Sequence, residues 1–154
     1  MTIRYRTEGS GFGRPAGLAS AAGLAGAAVL HGLWATGSTW PARDPEDLAD
    51  LVVGRAPFPG VGATIAVAGL LTSASVLTAT ASGVVPVGPQ LRRLARLGAS
   101  VVSGVLLVRG TGGVAVSALG VGGASERFRR MDLRVYSPLC LGLGSLVAVS
   151  SRAR

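Results

Sequence analysis

The sequence predicts an all-α integral membrane protein, a bundle of four transmembrane helices with a short interfacial helix in the first loop. Two observations carry that expectation. Charged residues make up only 14% of the 154-residue chain, about half the share of an ordinary soluble domain, while 49% of residues are apolar. The charges also fall in clumps: none lies between Arg14 and Arg43, between Arg55 and Arg92, or between Arg134 and Arg152, and only Arg109 interrupts the run from Arg96 to Glu126. Each gap can house a bilayer-spanning helix, which needs about 20 mostly apolar residues.

Composition also excludes several functions. The net charge of +8 could suggest nucleic acid, but basic residues beside long apolar runs are the ordinary mark of membrane topology, so no nucleic acid is expected. All 15 basic residues are arginine, which removes a phosphate-binding lysine, a Schiff base and a lysine general base. A single Cys140 forbids an internal disulfide, and with a single His31 it falls short of the usual zinc sets. No metal, cofactor or catalytic residue is expected.

In chain order, residues 1–15 carry Arg4, Arg6 and Arg14 among glycines and read as a flexible basic leader. The first helix is expected over about 16–40. It exceeds the h-region of a signal peptide and lacks a clear A-x-A cleavage site, so it reads as a retained span. In the acidic loop that follows, Asp44 suits an N-cap, Pro45 the first helical position and Gly54 the stop, while Leu48, Leu51 and Val52 share one face. A short amphipathic helix is expected there. The second span, about 60–85, ends before Pro86 and Pro89. Stripes of small residues at Ala19, Gly23 and Ala27 and at Thr64, Ala68 and Thr72 point to close packing with hydrogen bonds across the interface.

The third span begins near Leu97 and meets Gly110, Gly112 and Gly113. Either it continues to about residue 119 with Arg109 inside it, or it ends at the glycines and leaves a short re-entrant piece; the first is the expectation. Residues 139–150 alone are too short to cross, so the fourth span is expected over 133–151 with Pro138 as a kink, followed by a basic tail at 152–154. The whole of 16–151 reads as one membrane domain. Eight arginines on the leader, the 86–96 loop and the tail, against six on the other loops, favour cytoplasmic termini.

Alternating crossings bring the end of the first helix, the end of the third and the start of the fourth to one membrane face. By the helical rise, His31 lies about 14 Å below Trp40 and Arg109 about 15 Å below Leu119, a similar depth. His31, Trp34 and Ser38 share a face of the first helix, and Asp132, Tyr136, Ser137 and Cys140 begin the fourth. One half of the bundle therefore collects the polar groups. Arg109 cannot lose its proton and needs an acceptor, such as Asp132, Tyr136, backbone carbonyls or a bound anion. Packing through an Arg109 to Asp132 pair is the plainer reading and ligand binding the sharper one. A neutral His31 bonded to a neighbouring helix and a small-core role for Cys140 are the plain alternatives to a site.

His31 and Trp34 with Gly37-Ser38 and Trp40-Pro41, then Arg109-Gly110, then Phe128, Asp132 and Tyr136-Ser-Pro-Leu-Cys140, resemble a family of small bacterial four-helix membrane proteins known only as a domain of unknown function. The resemblance covers about residues 16–150 and implies the four-span architecture in a bacterial plasma membrane, without an activity. The chain departs from that pattern after Gly110, where Thr-Gly-Gly-Val-Ala-Val-Ser stands in place of aromatic and charged residues.

The function expected from these residues is a non-enzymatic structural, accessory or small-ligand-binding membrane protein, its polar half-bundle centred on His31 and Arg109. The alternatives are a small transporter or channel component, and a membrane enzyme acting on a lipid or quinone with His31 as base. The enzyme is the weaker case, because Asp132 is the one acid placed to assist. The expected partners are the lipid bilayer and either a second copy of the chain or another membrane protein.

Overall fold

A computed structural model describes residues 12–152. Most of the basic leader and the last two residues of the tail lie outside them. The elements are α1 (Gly13–Ala35), α2 (Pro45–Val52), α3 (Val61–Ala81), α4 (Pro89–Leu119), α5 (Glu126–Met131), a π-helical turn (Asp132–Tyr136) and α6 (Ser137–Arg152). Four helical stretches, α1, α3, α4 and the run from Glu126 to Arg152, are long and apolar enough to cross a membrane. Around the bundle their order is α1, α3, α4, α6.

Several helix ends differ from expectation. Helix α1 begins at Gly13, inside the expected leader, because Pro15 sits in its first turn and needs no intrahelical donor there. It stops at Ala35, not near residue 40. Gly37 takes φ +92°, and the amides of Gly37 and Ser38 turn back to the carbonyls of Trp34 and Leu33, which satisfies two otherwise orphaned acceptors. Gly83 ends α3 in the same way, its amide on Thr80 O and that of Val84 on Ala79 O, four residues before the expected stop. Helix α4 starts at Pro89, eight residues before residue 97. Proline presets φ at a first helical position and arginine is a good helix former, so the basic 89–96 segment is helix.

Helix α4 then runs 31 residues without a break, through Arg109 and the glycines. At about 1.5 Å per residue it is roughly 46 Å long, so its arginine-bearing start extends past a hydrocarbon core about 30 Å thick. The fourth span begins at Glu126, earlier than the expected residue 133. Ser125 caps it, its Oγ accepting from Phe128 N at 3.1 Å. Pro138 supplies no amide to the carbonyl of Arg134, and the turn before it widens so that Ser137 N bonds to Asp132 O instead. A π-helical turn thus stands where the kink was expected. Helix α2 forms as its sequence suggests: Asp44 Oδ1 accepts from Asp47 N at 2.7 Å, and Leu48 and Leu51 are buried beneath it.

The helices pack through small side chains. The core joins Leu24 of α1, Ala74 and Ala81 of α3, Ala95 and Ala99 of α4 and Val147 of α6, with Leu71, Leu77, Val102 and Leu106 against it. Ser75 Oγ donates to Ala21 O and Ser103 Oγ to Gly144 O, each at 2.8 Å and each between helices. The stripes expected to do this are used only in part: Gly23 lets Leu143 of α6 come so close that a Cβ there would meet it at 2.7 Å, and Thr64 is buried, but the expected hydrogen bonds across the interface come from other residues. Ala19 is exposed, and Thr64 and Thr72 donate back to carbonyls of their own segment, Gly60 and Ala68, the habit of hydroxyls inside a helix.

Candidate functional site

At the end of the bundle beneath α2, a cavity of about 440 Å³ lies between α1, α3, α4 and the π-helical turn. Its floor and walls come from His31 and Trp34 of α1, Ala63, Thr64 and Val67 of α3, Arg109 of α4 and Tyr136. Val52, Val53, Phe58 and Pro59 form its roof.

Arg109 is held by an acid behind it. Its Nη2 donates to Asp132 Oδ1 at 2.8 Å, and Ser117 Oγ donates to the other carboxylate oxygen at 2.7 Å. The Asp132 side chain is 1% exposed, whereas that of Arg109 is 44% exposed. One edge of the guanidinium is therefore engaged, and the partly exposed side chain also lines the cavity. Gly113 makes room for this arrangement: a methyl group there would overlap Arg109 Nη1 and Ser137 Oγ and come within 2.9 Å of Asp132 Oδ2. The widened turn before Pro138 carries Asp132 inward, to complete burial.

His31 Nδ1 lies 2.8 Å from Ala27 O. A carbonyl can only accept, so that bond puts a proton on Nδ1 and leaves Nε2 as the acceptor of the neutral ring. Trp34 meets His31 edge to face with centroids 4.9 Å apart, meets Phe58 at 6.0 Å, and donates its indole N–H to Trp40 O at 2.7 Å. The reversal after Gly37 thus folds Trp40 back onto Trp34.

The roof is tied down on the loop side. Tyr136 donates its hydroxyl proton to Leu51 O at 3.2 Å, Ser125 N bonds to Gly54 O at 2.9 Å, and Arg127 pairs with Asp47. Phe128 packs so closely on Gly54 that a Cβ there would sit 2.8 Å from its ring. Arg127 beside Asp47, with the Arg43 amide adding to it, holds the Asp47 carboxyl below its ordinary range. Arg129 donates through Nε to Ser117 O at 2.9 Å, setting a cation at the end of α4, where it suits the helix dipole.

Of the residues singled out in the sequence, His31, Trp34, Arg109 and Tyr136 line this cavity, and Asp132 and Ser137 stand buried behind Arg109. Ser38 does not join them. It borders a neighbouring cavity of about 200 Å³, because the chain turns at Gly37 and leaves the helical face. Cys140, half-buried one turn beyond Tyr136, is outside the cavity lining. Sequence reasoning missed Ser117, Gly113, Thr64 and Phe58. Arg109, Gly113 and Ser117 recur every four residues, a single face of α4, and that spacing was available as a signal. Nothing in the sequence marks Phe58, which arrives from a loop.

No curated protein and no solved structure matches the chain. Residues 24–147 match the family model described as protein of unknown function (DUF3995), and the chain, a multi-span helical bundle, belongs to that family.

Proposed function

We propose that the protein is a non-enzymatic membrane protein that binds a small ligand in the cavity beneath α2. The observation that carries this reading is the half-exposed Arg109, fixed by a buried Asp132 and lining a partly open, mostly apolar cavity of the size that small ligands occupy. An arginine placed only for packing would bury its remaining donors against carbonyls.

Two further features favour binding over the alternatives. The opposite half of the bundle is filled by Leu24, Ala74, Thr78, Ala99 and Val147, so the cavity ends blindly within one protomer, unlike a conduit. Asp132 already accepts from Arg109 and Ser117, which leaves His31 without a free carboxylate partner for acid and base work. The arginine distribution favours cytoplasmic termini, and the resemblance to small bacterial membrane proteins favours a bacterial plasma membrane.

Native mass spectrometry of protein extracted in mild detergent tests the proposal. Wild type is expected to retain a small molecule that is lost both from Val67→Phe, which fills the cavity, and from Arg109→Leu/Asp132→Leu, which removes the pair together. Identical spectra for all three would overturn it. Loss of a bound protein subunit instead would establish the accessory role.

A further inference from the structure

If the cavity binds a ligand, as proposed above, its chemistry and its opening also say which kind. The fixed charges nearest to it, Arg109 and Asp132, cancel at 2.8 Å. An anion entering there would meet a cation that is already compensated, in a medium that penalises unpaired charge. An uncharged oxygen meets no such penalty. It can accept from the guanidinium N–H groups that Asp132 leaves free, since an arginine has five. His31 Nε2 offers the complementary acceptor for a hydroxyl. Four rings, those of His31, Trp34, Phe58 and Tyr136, border the space, and two of their contacts are edge to face, an arrangement that suits a further flat ring.

Access runs sideways. The roof is fastened to α5 and the π-helical turn by the Tyr136, Ser125 and Arg127 contacts, which oppose entry from the aqueous side. Helices α3 and α4, in contrast, share core residues only from Leu71 to Ala81 and from Ala95 to Leu106. Beyond these the two helices contribute opposite walls of the cavity, Val67 and Arg109, and both side chains are more than a third exposed. Val105, one turn from Arg109 on the same side of α4, is also exposed, so the wall beside Arg109 is apolar.

We propose that the cavity takes an uncharged, ring-bearing lipophile with carbonyl or hydroxyl oxygens, of the quinone class, which enters from the bilayer between α3 and α4. Trp34 reports on it directly. The chain has two tryptophans, so Trp40→Phe leaves Trp34 as the sole emitter while keeping the backbone carbonyl that its indole bonds.

The full chain carrying Trp40→Phe is reconstituted in phosphatidylcholine vesicles and titrated separately with a decyl-substituted benzoquinone, with decanoate and with inorganic phosphate. A saturable change in Trp34 emission is expected with the quinone alone. Val67→Phe or Ala63→Phe in the same background, each checked for unchanged helicity and unfolding temperature, is expected to raise half-saturation about tenfold or more. Saturation by decanoate or phosphate but not by the quinone would overturn the ligand class and leave the binding reading standing. Saturation by the quinone that neither folded variant changes would overturn the entry path and the cavity as its site. Only linear, non-saturable effects with every probe would overturn both proposals.

Discussion

Helices α3 and α4 behave differently along their shared length. Near their connecting loop they meet through Ala74, Ala81, Ala95 and Ala99, with the Leu77 side chain laid across Gly98. Towards the other face they part around Arg109. In a bilayer the lipid tails are as apolar as leucine, so helices associate through close packing and interhelical hydrogen bonds, which small and hydroxylated residues allow. The first region follows that rule through its alanines, and each helix also bonds to its other neighbour, Ser75 of α3 to Ala21 of α1 and Ser103 of α4 to Gly144 of α6. The second replaces it with one ion pair, a serine and a ring of aromatic side chains, and keeps a cavity. Tight apolar contact and a retained void thus coexist because an electrostatic pin holds the α4 to α6 side of the open region.

The strongest way to break this contrast is to remove half of the pin. Arg109→Leu leaves the Asp132 carboxylate buried without its cation; truncating one partner costs about 3 to 5 kcal/mol in a fully buried pair, and less is expected here because Arg109 is half exposed. Thermal unfolding in detergent should show that loss, and Arg109→Leu/Asp132→Leu should recover most of it. A single variant as stable as wild type would show that the pair does not hold the region together.

A smaller effect tests how closely the pin is fitted. Gly113→Ala drives a methyl group into Arg109 and Ser137, and overpacking of this kind costs about 1 to 3 kcal/mol. Gly112→Ala, one residue away with nothing within 4 Å of its new Cβ, should be neutral or slightly stabilising, by up to about 1 kcal/mol. Equal unfolding temperatures for the two variants would sink the idea that Gly113 is a seat for the ion pair.

The smallest effect concerns the roof. Because the folded Asp47 carboxyl titrates below its ordinary value of 3.8, the stabilisation it brings is complete above that pH and fades as pH falls through the folded value. The contact is at the surface, so the change is expected to be slight. Hydrogen exchange should show the α2 amides losing protection below pH 3.8 relative to those of α4, and Arg127→Ala should flatten that dependence. Unchanged protection in acid would mean that the other contacts alone hold the roof.

Charge-free runs and proline positions made the four helices legible in the sequence, along with α2, whose Asp44 and Pro45 act as their types suggest. The juxtaposition of Arg109 with Asp132, and of both with His31 and Tyr136, was also within reach, since alternating crossings and helical rise fix depth. Helix ends were less legible. Gly37 and Gly83 stop their helices by adopting positive φ, and many glycines in this chain do not, so the residue type alone does not mark the stop. Nor did small-residue stripes indicate which face is buried, because α1 and α3 are apolar on nearly every side and lack the polar face that orients a helix in water.

By itself the sequence determined how many helices are long and apolar enough to cross and which of them bring Arg109, His31 and Asp132 to the same end, because those properties follow from local hydropathy and a constant rise per residue. Only the tertiary structure decided the rest. Rotation of each helix about its axis, the inward swing of Asp132 on a widened turn, the space left over Gly113 and the arrival of Phe58 from a loop all depend on contacts between distant segments, which no local pattern encodes.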